Sequence, residues 1–113
     1  KIVLATNYPI MSKMFAKLPA YRTYAVGARV PKDSVEKCLI WDTADPYVYV
    51  RTQPEDGFDV LIVGGEDHRT GQADDGAERF ARLREWTQKR FPQASEWLYE
   101  WSGQYLETHD GLA

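Results

Sequence analysis

The chain has 113 residues, with 14 Lys and Arg against 17 Asp and Glu, a formal net charge of −3. That length carries one domain with a core of its own. The slight acidity and the lack of a basic block argue against a nucleic-acid or anionic-membrane surface, and no apolar run nears the ~20 residues that span a bilayer.

The chain begins with "KIVLATNYP". Ile2 to Leu4 is a branched aliphatic run of the kind a strand buried on both faces uses, and residues 2–6 are expected to be such a strand. Asn7 and Pro9 then end it. Residues 10–18, "IMSKMFAKL", suit a short helix or an apolar loop. "YRTYAVGARV", 21–30, alternates as a half-buried strand does, and Pro31 to Ser34 make a turn. "KCLIWDT", 37–43, is a second strand, and Cys38 within it is expected to be buried and inert.

"YVYVRTQ", 47–53, is almost purely β-forming, with Tyr47, Tyr49 and Arg51 on one face and Val48 and Val50 on the other. "PEDG", 54–57, is a hairpin turn and "DVLIVGG", 59–65, returns, so 37–65 is predicted to be a three-stranded antiparallel meander. "EDHRTGQADD", 66–75, reads as a polar loop, with His68 either solvated or near a pocket mouth. Residues 75–91 are predicted to be a long helix. Asp75 with Glu78 is a capping-box-like start, Phe80, Leu83 and Trp86 form the apolar stripe, and Pro92 ends it. "EWLYEWSGQYLE", 96–107, is a last strand with Trp97, Tyr99 and Trp101 on one face.

The fold class is α+β: a mostly antiparallel sheet, with one long helix and one or two short helices packed on one face. Four Trp and seven Tyr promise a substantial core, a ring-lined pocket, or both. The lone Cys38 has no internal partner, which fits a reducing, cytoplasmic setting. One cysteine and two distant histidines argue against a zinc site, and no metal ligand set is assigned.

Three stretches in order carry a family likeness: "IVLATNYP", "VLIVGGEDH" and "WSGQYLETHDGLA". Together they resemble the D-amino-acid-oxidase-like superfamily of FAD-dependent oxidoreductases, which includes sarcosine and glycine oxidases. The first resembles the strand that leaves the FAD-binding domain, the second a substrate-domain strand ending in a Gly-Gly-acid turn, and the third the strand returning to the flavin. The wording "WDTADPY" with "LIVGGEDH" is similar to a bacterial subgroup in which a Rieske domain often follows. Ala113 and His109 depart from the family's closing motif, which commonly has Pro at the first position and a small residue or Pro at the second.

The resemblance implies that 1–113 is a substrate-binding (cap) domain taken from a longer flavoenzyme. Residues 1–7 would be a remnant strand of the FAD-binding domain, and 108–113 the start of the return into it. FAD would belong to the full-length parent and not to this piece, which lacks the G-x-G-x-x-G fingerprint and is expected to be inactive alone. The reaction implied is oxidation of the C–N bond of an amine or amino acid, with that small molecule and the missing FAD-binding domain as partners. No catalytic residue is assigned.

Tyr47 and Tyr49 are then either core rings or pocket walls, and Arg51 either a surface cation or the holder of a substrate carboxylate. Trp101 and Gln104 are either core and edge or pocket-closing and substrate-facing. His109, Asp110 and Gly111 would lie near the flavin. The rival reading is a stand-alone module that binds a peptide or small ligand on an aromatic sheet face.

Overall fold

The longest β-forming runs become the centre of one antiparallel sheet. In this computed structural model, which describes residues 1–3, 19–44, 46–71 and 73–107, the strands are β1 (Ala20–Pro31), β2 (Ile40–Trp41), β3 (Val48–Pro54), β4 (Phe58–Arg69) and β5 (Glu96–Leu106). Their order is β2-β3-β4-β1-β5, and every pairing is antiparallel. The helix α1 (Gly76–Arg90) connects β4 to β5 and packs on one face. The α+β class and the β2-β3-β4 meander are as the alternation predicts. The strand over 21–30 takes an interior position between β4 and β5 because it is apolar on both faces, from Tyr24 to Ala28.

The core lies between α1 and the sheet. Tyr24, Val26 and Val30 of β1, Val48 and Val50 of β3, and Leu61 and Val63 of β4 meet Leu83, with Phe80 and Trp86 packed at the margin. Leu83 is 1 % exposed. Burying a side chain of that size contributes about 1.5–3 kcal/mol. Thr87 is also fully buried, and its hydroxyl donates to the Leu83 carbonyl one turn back at 2.7 Å, which satisfies it without a tertiary partner.

Several expectations need correction. The strand over 37–43 shrinks to Ile40–Trp41, and Cys38 is exposed rather than buried. Lys37 is drawn back to Asp33 at 3.1 Å in the preceding turn, away from an extended pairing. The polar stretch after Gly65 is not all loop: Glu66 to Arg69 continue β4, paired with β1 through Tyr21 and Arg22. Asp75 stands at the N-cap, but its side chain makes no capping bond. It accepts from Arg79 Nε at 2.7 Å instead, because a charged fork outcompetes a backbone N–H.

Trp97 does not share a face with Tyr99 and Trp101. The pairing shifts so that Tyr99 sits opposite Gly27 and Trp97 opposite Ala28, and the extra residue, Leu98, sends Trp97 to the core side. Ile2 and Val3 are exposed and unpaired, whereas the rest of the expected strand over 2–6 and the possible short helix over 10–18 lie outside the described residues. Among the described residues, no helix is long and apolar enough to cross a membrane.

Candidate functional site

The face of the sheet opposite α1 carries the candidate site. The pleat sends Tyr49 and Arg51 of β3 there, together with Tyr47 just before the strand. Ile62 and Gly64 of β4, Ala25 and Gly27 of β1, and Tyr99 and Trp101 of β5 join them through the cross-strand pairs Tyr49–Gly64, Arg51–Ile62, Ala25–Trp101 and Gly27–Tyr99. Large rings on this face are open to solvent: Trp41 is 57 %, Tyr99 58 % and Trp101 43 % exposed. Large rings left uncovered on one face of a sheet make that face a candidate surface for binding.

Three of these rings form a stacked shelf. The centroid of Trp41 lies 5.1 Å from that of Tyr47 and 5.7 Å from that of Tyr49, with interplanar angles of 8° and 26°. Gly64 makes the shelf possible. A Cβ placed there would lie 2.1 Å from Tyr49 Cζ, so only a residue without a side chain lets the phenol lie across β4. The next residue, Gly65, has φ 148 and would put a Cβ 2.5 Å from the Tyr47 carbonyl oxygen.

The same glycines open a β-bulge. Between Arg22 and Tyr24 the β1–β4 register slips, and Glu66 takes the left-handed conformation with φ 55. In an unbroken strand, Glu66 would share the face of Gly64, and Asp67 would point to the helix. The bulge exchanges them. Glu66 is held on the helix side, its carboxylate 3.1 Å from Arg82 Nε and its carbonyl accepting from Arg79 at 2.7 Å. Asp67 is thereby aimed at the ring-lined face, and His68 turns back to meet the Tyr24 hydroxyl at 2.8 Å.

Asp67 Oδ2 accepts from two phenols, Tyr47 and Tyr105, the latter at 2.9 Å. Tyr105 stacks in turn on Tyr21 at 5.6 Å. Burial, and then the bond to the Asp67 carboxylate, push the Tyr47 phenol well above its ordinary range. The same two causes push Tyr105 up to about 12. Both hydroxyls therefore stay protonated donors at neutral pH. The other oxygen, Asp67 Oδ1, is buried and has no hydrogen-bond partner among the described residues.

Arg51 lies further along β3 and lines a pocket of about 330 Å³ with Lys37, Cys38, Leu39, Thr52 and Pro54. Its guanidinium has no acidic partner among the described residues, whereas Lys37 is paired with Asp33 at 3.1 Å. A second pocket of about 380 Å³ lies on the helix side, lined mainly by Ile40, Val48, Val50, Trp86 and Phe91, with Asp42 and Arg90. It takes in none of the ring-lined face.

Four of the five candidate substrate residues, Tyr47, Tyr49, Arg51 and Trp101, thus share one face. Gln104 does not: the pleat of β5 sets it on the opposite side from Tyr105, across from Arg22. His109, Asp110 and Gly111 lie outside the described residues. Asp67, Tyr105 and Trp41 were not singled out from the sequence. The available signal was "GGED", since two glycines before an acid inside an apolar strand announce a bulge that redirects the acid.

A family model described as FAD dependent oxidoreductase matches residues 1–113, the whole chain. No curated protein and no solved structure gives a significant match.

Proposed function

Because the chain belongs to the FAD dependent oxidoreductase family, we propose that it is the substrate-binding part of such an enzyme, and that the ring-lined face receives an amine or amino acid whose C–N bond is oxidised. The observation that carries this reading is Arg51. It is a guanidinium with no acidic partner among the described residues; it lines a pocket and shares its face of the sheet with the stacked Tyr47 and Tyr49. An unspent planar fork of donors suits a carboxylate held in bidentate fashion.

FAD is the cofactor that the family implies, and it supplies the redox chemistry when bound. The described residues do not fit its diphosphate. Such a group is held where a glycine-rich turn meets a helix N-terminus after a parallel strand. Here the sheet is antiparallel, and α1 begins with Asp75 and Glu78, which repel an anion. The protein's own contribution in this reading is therefore binding and orientation. Arg51 fixes the carboxylate, Trp41, Tyr47 and Tyr49 wall the substrate, and Trp101 and Tyr99 keep water from the far side of the face.

The complete protein with Arg51→Ala tests this reading on an amine that bears a carboxylate. Losing a charge-assisted contact costs about 1.5–3 kcal/mol, so kcat/KM should fall ~10- to 150-fold with little change in Tm, because the guanidinium is exposed. An unchanged kcat/KM, or an equal loss on an amine without a carboxylate, would refute the role.

A further inference from the structure

We propose that Asp67 recognises the cationic, N–H-bearing end of the ligand on this face, so that the site takes a protonated amine against the Trp41–Tyr47–Tyr49 shelf. The inference rests on the substrate-binding reading and names which residue reads the nitrogen.

Three observations converge on it. Asp67 is half-spent: Oδ2 accepts two phenolic bonds, while Oδ1 is buried with no partner among the described residues. A buried acceptor left unpaired is costly, and a charged one more so, which makes it a receptor for a donor that the described residues do not supply. The acceptor is also not alone. Thr23 Oγ1 is likewise buried and without a partner among the described residues, and Thr23 sits on β1 between Arg22 and Tyr24, the two residues that flank the bulge across from Asp67. An ammonium donates to both oxygens and brings a positive charge to the carboxylate, whereas an alcohol, which can donate to Asp67 and accept from the Thr23 hydroxyl, brings none.

The third observation is the wall. Tyr47 is at once a donor to Asp67 and a member of the stacked shelf, so the carboxylate and the ring faces border one site. A cation set beside a carboxylate and over an aromatic face gains from both. Nearby cations are otherwise engaged or out of reach. Arg79 and Arg82 bind Glu66 and Asp75 on the helix side, and Arg69, two residues along β4, makes no ion pair with Asp67. The bulge is costly to keep: Glu66 is a non-glycine residue in the left-handed region, and two arginines hold it there. Its structural consequence is to present Asp67 to this face, the pattern expected where backbone strain serves a site.

Arg51 lies four residues from Tyr47, which directly precedes β3, or about 13 Å along the extended chain. Asp67 and Arg51 therefore read opposite ends of one extended ligand, an amine or amino acid whose carboxylate lies well away from the nitrogen.

Calorimetric titration of the complete protein with benzylamine and with benzyl alcohol at neutral pH tests the inference. Benzylamine is expected to bind at least about 10-fold more tightly than the alcohol. That preference should vanish in Asp67→Asn and survive in Arg51→Ala. Equal affinities in the unmodified protein, or a preference that persists in Asp67→Asn, overturns the proposal. Should Asp67→Asn not fold, the unmodified protein with labelled tyrosines decides by NMR: benzylamine must shift the Tyr47 and Tyr105 ring signals, and unmoved signals overturn the proposal. An Arg51→Ala variant that turns over normally while the amine preference stands refutes the carboxylate reading alone. The converse refutes the role of Asp67 alone.

Discussion

Gly64 and Gly65 are neighbours in β4, yet alanine at each should fail for a different reason. At Gly65 the obstacle is backbone. The new Cβ would lie 2.5 Å from the Tyr47 carbonyl oxygen and 3.4 Å from Val48 Cα, and φ is 148, a region that side chains other than hydrogen avoid. Strain of that kind costs of order 1–3 kcal/mol, overpacking adds a comparable amount, and neither is relieved without parting β3 from β4. Gly65→Ala should therefore cost about 2–6 kcal/mol, which lowers Tm by roughly 8–24 °C in a chain of this size. At Gly64 the obstacle is the end of the Tyr49 ring, at 2.1 Å, and a ring can swing away. The loss is then mainly its stacking with Trp41 and Tyr47, about 0.5–1.5 kcal/mol, or a few degrees in Tm. Thermal unfolding followed by far-UV circular dichroism gives the two Tm values, and near-UV circular dichroism reports the stacked rings. Gly64→Ala should erase much of the near-UV signal at small cost in Tm. A Gly65→Ala protein as stable as the unmodified chain would refute the argument. So would a Gly64→Ala protein that keeps the near-UV signal intact.

Alkaline titration by tyrosinate absorbance should show Tyr47 and Tyr105 ionising above the ordinary phenol range, Tyr105 at about 12. A raised folded value means that the Tyr105 contribution to stability is whole below about pH 10 and is lost as pH climbs toward the folded value, and in Asp67→Asn both phenols should move back toward the ordinary range. At the far end of β4, the buried Asp59 accepts from the Asp33 backbone N–H at 2.9 Å and pairs with Lys32 at 3.1 Å, which together hold its carboxyl below the ordinary range. A depressed folded value stabilises above about pH 4 and is lost as pH falls through it, so the Tm gap between the unmodified chain and Asp59→Asn should be full at neutral pH and close in acid.

Local alternation was enough for much of this protein. Val48 and Val50 against Tyr47, Tyr49 and Arg51 is a period-two pattern, and the backbone must send those two sets to opposite faces wherever the strand goes. The stripe of Phe80, Leu83 and Trp86 likewise fixes the buried side of α1. Where the sequence misled, a single extra residue or a tertiary competitor had intervened. Leu98 shifts β5 and separates Trp97 from Tyr99, and Arg79 takes Asp75 away from the helix cap. The part of the site that depends on long-range pairing was hidden for the same reason. Asp67 reaches Tyr47 and Tyr105, 20 and 38 residues away in the chain, only because a bulge in β4 inverts the alternation opposite Thr23. Periodicity is set by neighbours along the chain, and so the sequence alone determined the faces of each strand. Register and bulges are set by which strands meet and how their hydrogen bonds close, and so only the tertiary structure decided which acid came to lie among the rings.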